Sequence, residues 1–422
     1  MKVAFCTLGC KVNQYETEAM RELFIKAGYT PVDFDRFADI YVVNTCTVTQ
    51  MSDKKSRQML SRAHRLNPNA IIAAVGCYAE SAKDSVKELD GVSVVIGTEG
   101  RENIVKLCES CMADHTKELY VSDGVREFEE LSAVRESRTR ASLKIQDGCA
   151  SFCSYCAIPY ARGGLRSRSF DGCGAELDTL VKSGYKEIVL VGIQLSAYGF
   201  GRGGDGHDLC DVIRLAQKLG VQRLRLGSLE PRFIDERFIE TALACPCLCR
   251  QFHLSLQSGS DSVLARMNRR YDTEEYRKAV RLIRAVMPDA AITTDIIAGF
   301  VGETEDEHRQ TLDFVREIGF ARVHVFPYSK REGTAAAAMK GHLDKSVKER
   351  RARELIQLAE GLEKQYVASW VGKRVSVLVE ERGEGYSGEY VRVKTHGDEG
   401  ELVSGVIART DGNLAYMDES CV

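Results

Sequence analysis

The stretch Gly148-Cys-Ala-Ser-Phe-Cys-Ser-Tyr-Cys156 sets three thiols, Cys149, Cys153 and Cys156, within eight residues. It directly follows a strand candidate, residues 142–146, and a loop this short aims three thiolates at one centre. Three ligands on a four-iron cluster leave one iron open to chelate the amino and carboxylate groups of a bound amino acid. The spacing alone shows only a three-thiolate site. A zinc knuckle or buried structural cysteines are the plain alternatives, but zinc wants a fourth ligand, and neither His207 nor Cys173 is well placed to be one.

Working outward, short apolar runs alternate with helical patterns on both sides of this loop. Strand candidates downstream are 187–191, 223–227, 253–256, 292–297 and 322–326, with helical segments between them such as 208–219, 273–286 and 305–318. Six such units fit an open, partial (β/α)6 barrel better than the eight of a complete one. A long helical stretch, 345–370, closes it. Upstream, strands at 2–8, 40–43, 71–75 and 92–96 alternate with helices at 15–27, 51–66, 79–89 and 101–109, which implies an open parallel α/β sheet. The last segment changes to alternating apolar and polar residues with Gly-containing turns, the pattern of a small antiparallel β-barrel. The expected domains are 1–110, a charged linker 111–140 containing Arg135, Arg138 and Arg140, a central barrel 141–370, and 371–422.

Composition frames the chemistry. The 422 residues are 44% hydrophobic and 28% charged, an ordinary globular balance. No apolar run approaches the roughly 20 residues of a membrane span, and the first residues lack a signal-peptide layout, so a cytoplasmic address is expected. Fifteen cysteines in a chain without an export signal point to metal or redox chemistry rather than a disulfide framework. The formal charge of −3 neither requires nor excludes nucleic acid.

Three more cysteines share one structural position. Cys10, Cys46 and Cys77 each follow a predicted strand and precede a predicted helix. Groups at the carboxyl ends of parallel strands gather on one edge of the sheet, so these thiols can converge; buried structural cysteines are the alternative. The set Thr7-Leu-Gly-Cys-Lys-Val-Asn-Gln-Tyr-Glu16, Asn44-Thr-Cys46 and Gly76-Cys77, upstream of the CxxxCxxC loop, resembles the methylthiotransferase family of the radical S-adenosylmethionine superfamily. The resemblance covers nearly the whole chain apart from the linker. It implies two 4Fe-4S clusters, one on Cys149, Cys153 and Cys156 that cleaves S-adenosylmethionine, and one on Cys10, Cys46 and Cys77 that takes part in sulfur insertion.

The resemblance further implies that Tyr155 helps to hold the adenine of the cofactor, and that segment 371–422 is an RNA-binding TRAM domain. The expected partners are a tRNA anticodon loop, a reducing electron donor and a sulfur source. Within the family, Cys10–Glu16 and Tyr160–Arg168 are most similar to members acting on N6-threonylcarbamoyladenosine at position 37 of tRNA. Isopentenyladenosine in tRNA and a ribosomal-protein aspartate are the rival substrates, and a non-catalytic cluster-bearing RNA-binding protein is the rival of another class.

Among polar groups at strand ends, Gln257, Ser258 and Asp295 are candidates for contacts to the cofactor's ribose or amino-acid end, although each also suits a helix cap or a turn. The run Tyr160-Ala-Arg-Gly-Gly-Leu-Arg-Ser-Arg168 offers Arg162, Arg166 and Arg168 to RNA phosphates at the mouth of the site, with a solvated loop as the alternative. Arg374, Arg392 and Lys394 offer a second RNA contact. The departures from the family pattern at Ala150, Val301 and Glu332 remove no ligand. Cys108, Cys111, Cys173, Cys210, Cys245, Cys247, Cys249 and Cys421 read as packed or isolated thiols, and His324 as a strand residue facing the barrel.

Overall fold

A computed structural model describes residues 1–114, 116–121, 126–132 and 139–418; Arg135, Arg138 and Cys421 lie outside the described residues. The N-terminal sheet has six parallel strands in the spatial order Thr30–Val32, Lys2–Thr7, Ile40–Thr45, Ile71–Gly76, Val92–Ile96, Glu118–Tyr120. Every residue of Ile40–Thr45 and Ile71–Gly76 is buried, because helices cover both faces, as crossover connections require. The two short edge strands were not among those expected. One of them, Glu118–Tyr120, and the end of the helix Ile104–Asp114 fall in the tract read as a linker.

The central domain contains six parallel strand positions: Arg140–Lys144, Glu187–Val191, Arg223–Leu226 continued by Ser228–Leu229, Gln251–Leu254, Ala291–Ala298 and Arg322–Pro327. Gly227 interrupts the third, and there the sheet passes from a three-stranded to a four-stranded part. This is the open partial barrel expected. Along Glu187–Val191, Ile188 and Leu190 face a core shared with the outer helices, whereas Val189 and Val191 pack on Val12, Tyr15 and Ala19 of the helix Lys11–Lys26. The two-residue period of a strand thus serves two cores, and the N-terminal domain covers the inner side of the open barrel.

The last segment is a closed five-stranded barrel ordered Arg374–Glu381, Glu384–Ser387, Arg392–Lys394, Leu414–Met417, Leu402–Asp411. It departs from the expected all-antiparallel pattern in one pairing, Arg392–Lys394 with Leu414–Met417, which is parallel. It docks where the central strands begin. Arg223 donates to the carbonyls of Ser376 at 3.3 Å and Tyr386 at 3.0 Å, and Arg225 to that of Ser387 at 3.0 Å. No helix among the described residues is long and apolar enough to cross a membrane.

Candidate active site

One cavity of about 610 Å³ is lined by all six singled-out cysteines: Cys10, Cys46 and Cys77 from the N-terminal sheet, and Cys149, Cys153 and Cys156 from the central loop. Each arrives there for a local reason. Cys10 is the cap residue before Lys11–Lys26, Cys46 immediately follows Ile40–Thr45, and Cys77 opens the helix after Ile71–Gly76. Those three strands are neighbours in the sheet, so the three thiols leave one edge together.

Backbone N–H groups hold the central loop around its sulfurs: Ser151 donates to Cys149 Sγ at 3.4 Å and Ile158 to Cys156 Sγ at 3.4 Å. The Arg269 Nη1 lies 3.1 Å from Cys153 Sγ, and its Nη2 reaches Glu230 at 3.3 Å. Gln194 Oε1 accepts from the Cys149 thiol at 3.3 Å. Burial is the main force on Cys46, Cys77, Cys149 and Cys156. It pushes Cys156 up to about 12, and Cys77 up to about 12 against the opposing field of Arg162. A metal bound at these two thiols would have to displace their protons, and an all-cysteine donor set of three fits iron–sulfur ligation. Among the described residues, no three His, Cys, Asp or Glu side chains meet closely enough to enclose a single metal ion.

The loop begins at Gly148, whose φ of +73° is left-handed and whose added Cβ would stand 1.8 Å from the Gly164 carbonyl oxygen. Gly148→Ala is therefore expected to lower the urea midpoint by the equivalent of about 1–3 kcal/mol and to reduce bound iron through displacement of Cys149. A variant with unchanged midpoint and iron would refute this.

Arg162, Arg166 and Arg168 do not face RNA phosphates. They are 0%, 2% and 4% exposed, and burial forces each into pairing. Arg162 donates through Nε to Cys77 Sγ at 3.2 Å, through Nη1 to Glu16 at 2.9 Å and Asp147 at 3.1 Å, and through Nη2 to Asn13 at 2.8 Å. Arg166 pairs with Asp147 at 3.1 Å, and Arg168 with Glu130 at 3.1 Å. Burial alone would raise the Glu16 carboxyl, yet the charges of Arg101, Arg162 and Lys144 prevail and hold it below its ordinary value. Asp147 is held low in the same way by Lys144, Arg162 and Arg166.

Of the other candidates, Tyr155 and Asp295 line the cavity, and Asp295 sits 3.3 Å from His253 Nε2. Gln257 and Ser258 are not among the lining residues. Ser258 is fully buried with its hydroxyl 3.3 Å from that of Thr311, so it braces the wall from behind. Gln257 adopts a left-handed φ of +72°, and its backbone bridges to the strand Ala291–Ala298. His324 lines the cavity, as read. Arg374 and Arg392 are exposed, although Arg392 pairs with Glu384 at 2.6 Å. Cys245, Cys247 and Cys249 are buried.

Sequence reasoning did not assign Gln194, Glu230, Arg269 or Tyr390, all of which line the cavity. The first two lie just beyond the strand candidates 187–191 and 223–227, where strand-end loops begin. Tyr390 comes from the C-terminal barrel and carried no signal.

The geometry can be set beside known proteins. A model of the radical SAM superfamily matches residues 143–315, and one described as uncharacterized protein family UPF0004 matches residues 2–97. Threonylcarbamoyladenosine tRNA methylthiotransferase MtaB of Bacillus subtilis (strain 168) is 41% identical over 416 residues, covering 94% of this chain and 91% of that protein. The chain belongs to the radical SAM methylthiotransferase family. The Aquifex aeolicus MtaB is 36% identical, with 96% of this chain and 99% of that protein covered. The tRNA-2-methylthio-N(6)-dimethylallyladenosine synthase of Geobacillus kaustophilus is 34% identical, with 89% and 72% covered. The solved radical S-adenosylmethionine methyltransferase TsrM from Kitasatospora setae shares the fold, with a TM-score of 0.59 at 15% identity over 80% of this chain and 74% of that one. As a radical SAM methylthiotransferase, the chain is an enzyme that uses S-adenosylmethionine and a 4Fe-4S cluster.

Proposed function

We propose that this methylthiotransferase converts N6-threonylcarbamoyladenosine at position 37 of tRNA to its 2-methylthio derivative, in the cytoplasm. The reading is carried by one observation: two triplets of thiols, from two domains, line a single cavity. A cube binds each thiolate on a different iron, so neither triplet needs to close on one ion-sized point. In this reading Cys149, Cys153 and Cys156 hold the cluster that binds S-adenosylmethionine, and Cys10, Cys46 and Cys77 hold a second 4Fe-4S cluster. Bound there, these groups supply a 5′-deoxyadenosyl radical and the sulfur and methyl that join C2 of the base.

The protein's own part is placement. Tyr155 and Asp295 face the cofactor from the cavity wall, while Gln257 and Ser258 shape the turn behind them. Arg269 and the N–H groups of Ser151 and Ile158 keep the sulfurs of the central loop oriented. Arg162, hydrogen-bonded to both Cys77 and Asp147, ties the second triplet to the start of the central loop, so that both triplets face one cavity. Residues 1–110, 141–370 and 371–422 act as cluster-binding, radical and RNA-binding domains, with an external electron donor and sulfur source required. Support for the substrate comes from the MtaB proteins, which are 41% and 36% identical to this chain.

The test is anaerobic incubation of the reconstituted protein with S-adenosylmethionine, a reductant and tRNA bearing N6-threonylcarbamoyladenosine. Mass spectrometry of the digested nucleosides is expected to show the 2-methylthio product. Turnover of isopentenyladenosine tRNA instead, with the threonylcarbamoyl tRNA untouched, would overturn the assignment.

A further inference from the structure

Among the described residues, three Lys or Arg side chains line the cavity: Lys11, Arg162 and Arg269. Arg162 is neutralised by Glu16 and Asp147, and Arg269 by Glu230. Lys11 differs. Its side chain reaches the surface yet lines both this cavity and a neighbouring recess of about 720 Å³. Partial burial and the charges of Arg225 and Arg140 press its ammonium below its ordinary value against the pull of Glu187, and among the described residues it makes no hydrogen bond or close ion pair. Glu380, Glu381 and Glu384 line that recess, yet none pairs with it.

Its position also runs against local preference. Lys11 is the first residue of the helix Lys11–Lys26, which has no acidic residue in its first turn. A cation there opposes the positive end of the helix dipole, at a cost of about 0.3–1 kcal/mol. A residue that breaks a local rule without a structural partner marks a functional position. The unpaired ammonium at the helix start makes an anion-seeking corner beside the second triplet.

We infer that Lys11 is a specificity-determining residue that pairs with the carboxylate of the substrate's threonylcarbamoyl group. The inference rests on the substrate reading above. The chemistry fits the location: one ring nitrogen separates C2 of adenine from the carbon that bears N6, so a base presenting C2 to the second triplet carries its N6 substituent along the same wall. A threonylcarbamoyl group brings a negative charge to that wall, whereas a dimethylallyl group brings only hydrocarbon. A charge-assisted pair rewards the first and leaves an uncompensated cation against the second.

The experiment uses anticodon stem-loops with N6-threonylcarbamoyladenosine, unmodified adenosine or isopentenyladenosine at the target position. Dissociation constants and kcat/KM are measured for the anaerobic holoenzyme, K11M and K11R. The parent is expected to prefer the threonylcarbamoyl stem-loop over unmodified adenosine by roughly tenfold to a hundredfold, the range of a hydrogen bond to a charged group. K11M should lose most of that preference, K11R should keep most of it, and both should carry the parent's iron and sulfide. Preference undiminished in K11M would overturn the inference. So would iron loss in both variants, because Lys11 would then be a support for Cys10. If the parent itself turns over only the isopentenyl stem-loop, it is the substrate reading that fails.

Discussion

Replacing Cys149, Cys153 and Cys156 together with Ala is expected to abolish cleavage of S-adenosylmethionine and to halve the iron of the anaerobically reconstituted protein. The matching replacement of Cys10, Cys46 and Cys77 should also halve the iron, yet leave 5′-deoxyadenosine formation measurable while methylthiolation stops. The asymmetry follows from how the triplets are held. The central three sit on one loop after Gln146–Asp147, with their own N–H donors and Arg269. They need nothing from the N-terminal thiols to keep their geometry. The N-terminal three depend on three separate strands meeting at one sheet edge, and their link to the central domain runs through Arg162. Iron and acid-labile sulfide are read directly, 5′-deoxyadenosine by chromatography and the modified nucleoside by mass spectrometry. If the second variant, with its remaining cluster intact, loses cleavage to background, the division of labour between the triplets is wrong.

The sequence carried most of the architecture because the architecture is periodic. Glu187–Val191 was read with its observed bounds because a strand buried on both faces is a continuous apolar run with polar punctuation. The six cysteines were readable for a related reason, since each follows a strand and parallel strands deliver their carboxyl ends to one place. What escaped detection depends on partners far away in the chain. Thr30–Val32 and Glu118–Tyr120 are three residues each, too short to show a period, and exist as strands only because a sheet edge is there to pair with. Arg162 sits in a basic run beside an active-site loop, where phosphate contact is the natural reading. Its true partners, Glu16 and Asn13, are 146 and 149 residues away. Tyr390 reaches the cavity only because Arg223 and Arg225 anchor the C-terminal barrel at the start of the central strands. Local pattern predicts elements, and the pairing of buried charges across domains lies beyond it.

That buried pairing sets up the second large effect. Arg162→Met should destabilise the holoenzyme by about 3–5 kcal/mol, the usual consequence of removing one member of a buried ion pair and stranding the rest. The figure is large because the side chain has no solvent to fall back on, being 0% exposed, and because it satisfies Glu16, Asp147, Asn13 and Cys77 at once. Arg101 and Lys144 still face Glu16 at 3.2 Å and 2.8 Å, which is why the carboxylate is not left wholly unpaired and the fold is expected to survive. Arg162→Lys keeps the charge but not the planar fork, so it should cost less than the Met variant and more than nothing. Urea midpoints under anaerobic conditions measure the ranking. Bound iron measures the link to Cys77, and should fall toward half in the Met variant while the central triplet keeps its share. Equal midpoints for parent and Met variant would mean that the charge cluster joining the two domains contributes no net stability.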